Sequence, residues 1–230
     1  MEGNGSYALI RSYANLTLTN CVINTSKANH NDAYPEGVQV ISPATLTQNN
    51  VTYVAENAPA FEHALADVSV KNIILGAGKF SADFYNGSVA RESLTIEGTE
   101  GTQIEFRKGN VRAELFDNLT IKNCEILPMV DKWGMLTYST GKENGVYTLD
   151  NCTFNGIKEQ GIYINETTKA TYNINNCKFN GDFTCHDGAI TIQNNANVNF
   201  TVNVTDCEFN NFLGNKIFTL YNNDAMTLNN

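Results

Sequence analysis

The chain has 230 residues, 42% of them apolar and 17% charged, with 24 acidic against 15 basic side chains and a formal charge of −9. That apolar content excludes a disordered chain, and the acidic balance excludes the basic footprint that nucleic acid or an anionic membrane surface would require. With 34 Asn and 23 Thr against only 4 Pro, the composition suits turns and strands, so an all-β fold is expected.

Taken from the amino end, Met1-Glu2-Gly3-Asn4-Gly5 has neither a basic n-region nor an apolar h-region. No window holds a run of apolar residues long enough for a membrane span. The chain therefore reads as an excised segment of an extracellular or cell-surface protein, or as part of a phage particle. SYALIRS (6–12), LTLTNCVI (16–23), EGVQVIS (36–42) and ATLTQNNVTYVAEN (44–57) each read as strands. Ala60, Phe61, Ala64 and Leu65 then fall at helical spacing and predict one short helix near residues 58–67. A strand ending near Gly76 to Gly78 follows, then SLTIEG (93–98) and TQIEF (102–106).

From here the chain repeats. LTIKNCEI (119–126), YTLDNCTF (147–154), YNINNCKF (172–179) and VNVTDCEF (202–209) share one pattern, of which LTLTNCVI is an outlying copy. Cys124, Cys152, Cys177 and Cys207 are 28, 25 and 30 residues apart, and Gly134, Gly161 and Gly188 are 27 and 27 apart. A fixed period of this length is the mark of a solenoid. Second strands begin at Gly134, Gly161, Gly188 and Lys216, so each coil carries three short strands.

In YTLDNCTF, strict alternation cannot return Cys152 and Phe154 to the face of Leu149. A two-residue corner with Asn in the left-handed region can, because Asn tolerates that conformation and hydrogen-bonds locally. Coils stacked about 4.8 Å apart then place Asn123, Asn151, Asn176 and Asp206 in a corner ladder. Cys124, Cys152, Cys177 and Cys207 form a buried thiol column beside it, with Ile121, Leu149, Ile174 and Val204 as another inward column. Asp150 is expected to face water.

These lines resemble the right-handed parallel β-helix of the pectate-lyase-like superfamily, in which a stacked Asn marks the turn between the second and third strand of each coil. The segment FEHALADVSVKNIILGAGKF (61–80) resembles the family's opening, a short amphipathic helix over the end of the core. The resemblance implies an all-β, right-handed parallel β-helix with a capping helix, and it carries no activity with it. It divides the chain into residues 58–230, a capped β-helix, and residues 1–57, coils displaced before the cap as a permuted end or the tail of a preceding block. Residues 5–50 are expected to dock within a monomer, continuing the stack after Asn230, with end-to-end stacking as the competing arrangement.

Enzymes of this fold mainly cleave polysaccharides, and their chemistry needs clustered carboxylates. A calcium-dependent lyase needs several acids on one face with a basic partner, because calcium takes 6 to 8 oxygen ligands. The best group is Glu105, Arg107, Arg112 and Glu114, which also reads as a solvated ion-pair face. Glu125, Thr153, Lys178 and Glu208 stack in one column whose two acids are three coils apart, about 14 Å, too far to act as a glycosidase pair. Cys185-His186-Asp187 has nucleophile-like letters but no placed oxyanion site. No catalytic residue, metal site or cofactor is read.

Binding is better supported. Trp133, Tyr138, Tyr163 and Tyr221 lie in or beside the second strands with Asn165 and Gln193, and an aromatic and amide row on a flat sheet suits sugar rings. The expected function is a non-catalytic, adhesin-like or carbohydrate-binding surface module. The alternatives are a polysaccharide lyase or glycoside hydrolase on the same fold, and a rigid stalk or phage fibre segment.

Overall fold

The computed structural model describes residues 10–24, 38–107, 110–128, 134–183, 187–194, 198–212 and 217–221. Two coils come first: β1 (Ile10–Ser12), β2 (Leu16–Thr19) and β3 (Val22–Asn24), then β4 (Val38–Val40), β5 (Leu46–Asn49) and β6 (Thr52–Ala55). Helix α1 (Ala58–Ala66) follows, then β7 (Asn72–Leu75), β8 (Gly78–Ala82), a four-residue helix α2 (Phe84–Gly87), β9 (Arg91–Gly98), β10 (Thr102–Phe106) and β11 (Asn110–Val111). After a 3-10 turn at Ala113–Leu115 come β12 (Phe116–Lys122), β13 (Glu125–Ile126) and β14 (Gly134–Tyr138). The next coil is β15 (Val146–Asp150), β16 (Thr153–Ile157) and β17 (Gln160–Glu166), followed by β18 (Thr171–Asn175), β19 (Lys178–Gly181) and β20 (Gly188–Asn194). The last is β21 (Thr201–Thr205), β22 (Glu208–Asn210) and β23 (Phe218–Tyr221).

Every pairing among these strands is parallel and joins one coil to the next, giving an all-β parallel solenoid of about 6 coils. An eight-stranded sheet runs β3-β6-β7-β9-β12-β15-β18-β21, a six-stranded sheet β8-β10-β13-β16-β19-β22, and a five-stranded sheet β11-β14-β17-β20-β23. Pairs β1-β4 and β2-β5 form two small sheets of their own.

Registration of like residues builds the core. On the eight-stranded sheet Ile23, Tyr53, Ile73, Ile96, Ile121, Leu149, Ile174 and Val204 pair in unbroken succession, and all are buried. On the six-stranded sheet the column is Phe80, Ile104, Ile126, Phe154, Phe179 and Phe209. Its aromatic rings stack at the coil spacing, Phe154 on Phe179 at 4.8 Å and Phe179 on Phe209 at 5.1 Å. Burial of each such aliphatic or aromatic side chain stabilises by about 1.5–3 kcal/mol.

Six corners each turn on one residue in the left-handed region. Asn123, Asn151, Asn176 and Asp206 have φ of 58, 50, 53 and 52°, and Asn20 and Asn50 have 52 and 51°. The residue after each corner ties the coils together: Thr153 N donates to Cys124 O, Lys178 N to Cys152 O and Glu208 N to Cys177 O, each at 2.9 Å. Cys124, Cys152 and Cys177 are buried, and Cys207 is half-buried. The amide chain is less regular than a simple ladder. Asn151 Nδ2 donates to Asn123 Oδ1 at 2.8 Å and Asn123 Nδ2 to Glu97 Oε1 at 3.2 Å, but Asn176 Nδ2 turns to Asp150 Oδ1 at 2.9 Å. Asp150 is half-buried and also serves as an acceptor within the corner.

The amino-terminal coils stand elsewhere than expected. β6 pairs with β7 from Thr52↔Asn72 to Ala55↔Leu75, so residues up to 55 continue the eight-stranded sheet ahead of β7, on the side away from β21. Docking of residues 5–50 after Asn230 is therefore corrected, and residues 222–230 lie outside the described residues. The outlying copy also runs in a different phase. Asn20 and Asn50 stand before strands of the eight-stranded sheet, whereas the later corner residues stand after them. Within this stretch Asn50 Nδ2 donates to Asn20 Oδ1 at 2.9 Å and Asn72 Nδ2 to Asn50 Oδ1 at 3.3 Å.

Helix α1 interrupts the coiling between β6 and β7. Asn57 caps it by accepting from Ala60 N at 3.0 Å, and its buried face of Ala60, Phe61, Ala64 and Leu65 packs against β6, β7, β8 and α2. Phe61 meets Phe80 edge-on at 6.0 Å and Phe84 at 5.9 Å. The carboxyl end of α1 is held by a side chain that sequence reading passed over. Arg91, 7% exposed, donates from Nη1 to Val70 O at 2.8 Å and Ala64 O at 3.4 Å, from Nη2 to Leu65 O, and from Nε to Val89 O at 3.4 Å.

The core's titratable groups make the fold sensitive to alkali. Burial pushes the Cys124 thiol and the Tyr147 hydroxyl up to about 12, and Tyr138 and Tyr172 well above the usual tyrosine value. Contact with the Cys152 thiol, together with burial, raises Cys177 to about 12. Since the folded values lie above the unfolded ones, these groups' contribution is intact below about pH 9 and is withdrawn from there to about pH 12. Each group removes up to about 1.4 kcal/mol per pH unit in its window. Urea midpoints measured between about pH 8 and 11 are expected to fall steeply above 9, and a flat profile to about 11 would contradict burial of these groups.

Candidate functional site

The five-stranded sheet has inward columns Leu136, Ile162, Ile190, Phe218 and Tyr138, Ile164, Ile192; Leu220 continues the second in register but is 39% exposed on the last strand. Alternation then turns Tyr163, Thr191 and Thr219 outward in one register, and Asn165, Gln193 and Tyr221 outward two residues further on. Thr191 and Thr219 are buried even so. Their hydroxyls donate to the carbonyl of Asp187, Thr191 at 3.3 Å, and Asp187 Oδ2 accepts from Gln160 Nε2 at 3.0 Å. They form the floor of the face.

Above that floor Tyr163 reaches from β17 to β20, where its hydroxyl donates to Gln193 Oε1. Burial and the neighbouring Tyr221 raise its pKa. Gln193 pairs in register with Asn165 on one side and Tyr221 on the other, and Tyr221 is 41% exposed. Two tyrosines thus flank an amide pair across three successive coils. Parallel strands about 4.8 Å apart hold them at fixed spacing with no loop motion needed.

Of the six residues expected to bind, four come together here: Tyr163, Asn165, Gln193 and Tyr221. Tyr138 does not. It is 2% exposed, in the inward phase, and packs against Tyr147 and Tyr172 at 6.0 and 5.3 Å. Its outward placement is corrected: Tyr138 pairs in register with the buried Ile164, and the GMLTY line has apolar residues on both faces, which hid that phase from alternation. Trp133 lies outside the described residues, as do Cys185 and His186.

A second concavity lies at the corner between the eight- and six-stranded sheets, an open cleft of about 470 Å³ lined by Thr99, Glu100, Asn123, Glu125, Asn151 and Thr153 among others. It exists because the β9 to β10 connection is a wider turn than the Asn corners above it. Gly98 permits this, since a Cβ there would stand 2.4 Å from Asn123 O and 2.8 Å from Cys124 Sγ. Glu125 is held at both oxygens, by Gln103 Nε2 at 2.6 Å and Asn155 Nδ2 at 2.7 Å. Asn155, Asn180 and Asn210 continue as a second amide ladder at 2.7 and 3.1 Å, which sequence reading missed because their spacing was overshadowed by the corner residues.

The other acidic groups are dispersed. Glu105 pairs with Lys79 at 2.5 Å, Arg107 with Glu62, and Arg112 with Glu114 at 2.7 Å, so the four residues considered for lyase chemistry belong to three separate ion pairs. Glu125, Thr153, Lys178 and Glu208 do stack in register, and the last two pair at 2.9 Å. Among the described residues no group of three or more His, Cys, Asp or Glu is placed to hold a metal ion, and no helix is long and apolar enough to cross a membrane.

No family model, curated protein or solved structure matches the chain.

Proposed function

We propose that this chain is a non-catalytic, glycan-binding module of a pectate-lyase-like β-helix, working outside the cell, on a cell surface or on a phage particle. One observation carries the reading: Tyr163 and Tyr221 flank Gln193 and Asn165 on the outward face of the five-stranded sheet. Tyrosine offers a rigid apolar surface for the C–H face of a sugar ring and a hydroxyl for its rim, while amides pair with sugar hydroxyls. Two tyrosines two coils apart suit an extended saccharide better than a single ring. The acidic chain favours neutral or cationic glycans over uronates.

Titration of the full chain against a panel of soluble neutral and acidic polysaccharides, with product analysis of the same mixtures, tests this. Binding without depolymerisation is expected. Tyr163→Ala and Tyr221→Ala should each weaken it by about tenfold, roughly 1.4 kcal/mol, and Tyr163→Phe by less, since the ring remains. Absence of binding to every glycan would overturn the reading. Release of shortened products would shift it to a lyase or hydrolase, with the corner cleft and its Glu100 and Glu125 as the place to look.

A further inference from the structure

The four thiols of the corner column are not equivalent. Cys124, Cys152 and Cys177 are 4, 0 and 1% exposed, whereas Cys207 is only half-buried. Lys178 pairs in register with Glu208, and Glu208 N donates to Cys177 O at 2.9 Å, so the cysteines just before them are direct neighbours on adjacent coils. Parallel neighbours lie about 4.8 Å apart, within the 4.4–6.8 Å Cα separation that a disulfide of roughly ordinary geometry spans. The Cys177 thiol is also in contact with the thiols of Cys152 and Cys207. At present Cys177 Sγ donates to Asn175 O at 3.2 Å and Cys207 Sγ to Thr205 O at 3.3 Å, weak bonds whose loss costs little.

We propose that Cys177 and Cys207 are an oxidisable pair that closes into an inter-coil disulfide when a small disulfide, such as oxidised glutathione, reaches Cys207. The Cys207 thiol loses its proton to solvent and its sulfur attacks one sulfur of glutathione disulfide. That S–S bond breaks, one glutathione departs as a thiolate and is protonated, and a mixed disulfide remains on Cys207. The Cys177 thiol then gives up its proton as its sulfur attacks Cys207 Sγ, the bond from Cys207 to glutathione breaks, and the second glutathione leaves as a thiolate that takes up that proton. In total two protein thiols are oxidised and one glutathione disulfide is reduced to two glutathiones. The remaining neighbours, Cys124 with Cys152 and Cys152 with Cys177, have both sulfurs buried, so an oxidant reaches neither without opening the core. The bridge staples the coil of β21 and β22 to the coil beneath it. It does not depend on the glycan reading.

Cys21 is an internal control. It too is half-buried, but Thr52 N donates to Cys21 O at 2.9 Å, the same tie, which places Val51 rather than a thiol above it. The full native chain is incubated with oxidised glutathione, its free thiols are alkylated, and its peptides are mapped by mass spectrometry. A cross-linked Cys177–Cys207 peptide is expected, with glutathione retained on Cys21 and with Cys124 and Cys152 modified at least about tenfold more slowly. In Cys177→Ser, glutathione should remain on Cys207 as it does on Cys21, and Cys152→Ser should still form the bridge. Glutathione retained on Cys207 in the unsubstituted protein, or a bridge from Cys207 to Cys185 or Cys21, would overturn the proposal.

Discussion

Replacing Glu166 by Ala is expected to lower stability by about 3–5 kcal/mol, the largest loss from any single polar side chain of the fold. Glu166 is 0% exposed, and every contact it makes is with a donor. Thr167 N and Thr168 N reach Oε1 at 2.7 Å, Thr168 Oγ1 at 2.8 Å, and Tyr172 OH reaches Oε2 at 2.6 Å. Gly141 N approaches both oxygens from the coil below, at 3.2 and 3.3 Å. Only glycine fits there, since a Cβ would stand 2.7 Å from Glu166 Oε2. One carboxylate thus organises two successive turns that lead back to the eight-stranded sheet. At the matching position of the next coil, Asn194 holds its own turn by accepting from Val198 N at 3.1 Å and donating to Val198 O at 2.9 Å. Glu166→Gln is expected to recover less than half of the loss, because one end of an amide would face donors with its own hydrogens. Urea unfolding measures both, and a loss below about 1 kcal/mol for Glu166→Ala would contradict the role.

Arg91→Met should cost nearly as much, about 3–4 kcal/mol, through a different route. The guanidinium gathers carbonyls of Ala64, Leu65, Val70 and Val89, two of which belong to the last turn of α1 and have no partner within the helix. Burial pushes its pKa down to about 10, partly offset by Asp67, so it stays charged throughout the neutral range and favours the negative end of the helix dipole. Without it, buried carbonyls lose their donors, α1 loosens, and Phe61 separates from Phe80 and Phe84. Hydrogen exchange of α1 amides should accelerate before that of β12 or β15. Arg91→Lys keeps the charge but lacks the planar fork, and should restore only part of the stability. Unchanged α1 exchange in Arg91→Met would contradict this account.

Much of this fold is legible in the sequence because a solenoid writes each inward column once per coil. The Leu-x-Asn-Cys-x-Phe line contains a corner that breaks alternation, and that break is visible in the letters of Leu149, Asn151, Cys152 and Phe154. Phase is a different matter. LTLTNCVI and LTIKNCEI look alike, yet their corners border different sheets, since local letters specify a turn and not which face the chain has reached. Tyr138 failed for a related reason: GMLTY is apolar on both faces, so only its pairing with Ile164 reveals that it points inward. Arg91 was silent because its partners are main-chain carbonyls, three of them distant in sequence, and main-chain groups leave no letter. Glu166 was silent because nothing in the letters shows that the turn after it folds back onto its carboxyl group or that Gly141 of the preceding coil reaches it. The rows Tyr163, Thr191, Thr219 and Asn165, Gln193, Tyr221 needed only the coil period and one correct phase.

The reading of the five-stranded sheet as a glycan platform is tested most directly by mapping backbone and side-chain chemical shifts of the full chain on titration with a short oligosaccharide cut from the best-bound polysaccharide of the panel. The account predicts that the largest changes fall on Tyr163, Asn165, Gln193 and Tyr221 across β17, β20 and β23, and that Tyr163→Ala abolishes them while leaving the shifts of the eight-stranded sheet in place. Changes centred instead on Glu100, Asn123 and Glu125 at the corner cleft, or spread evenly over the surface, would contradict it.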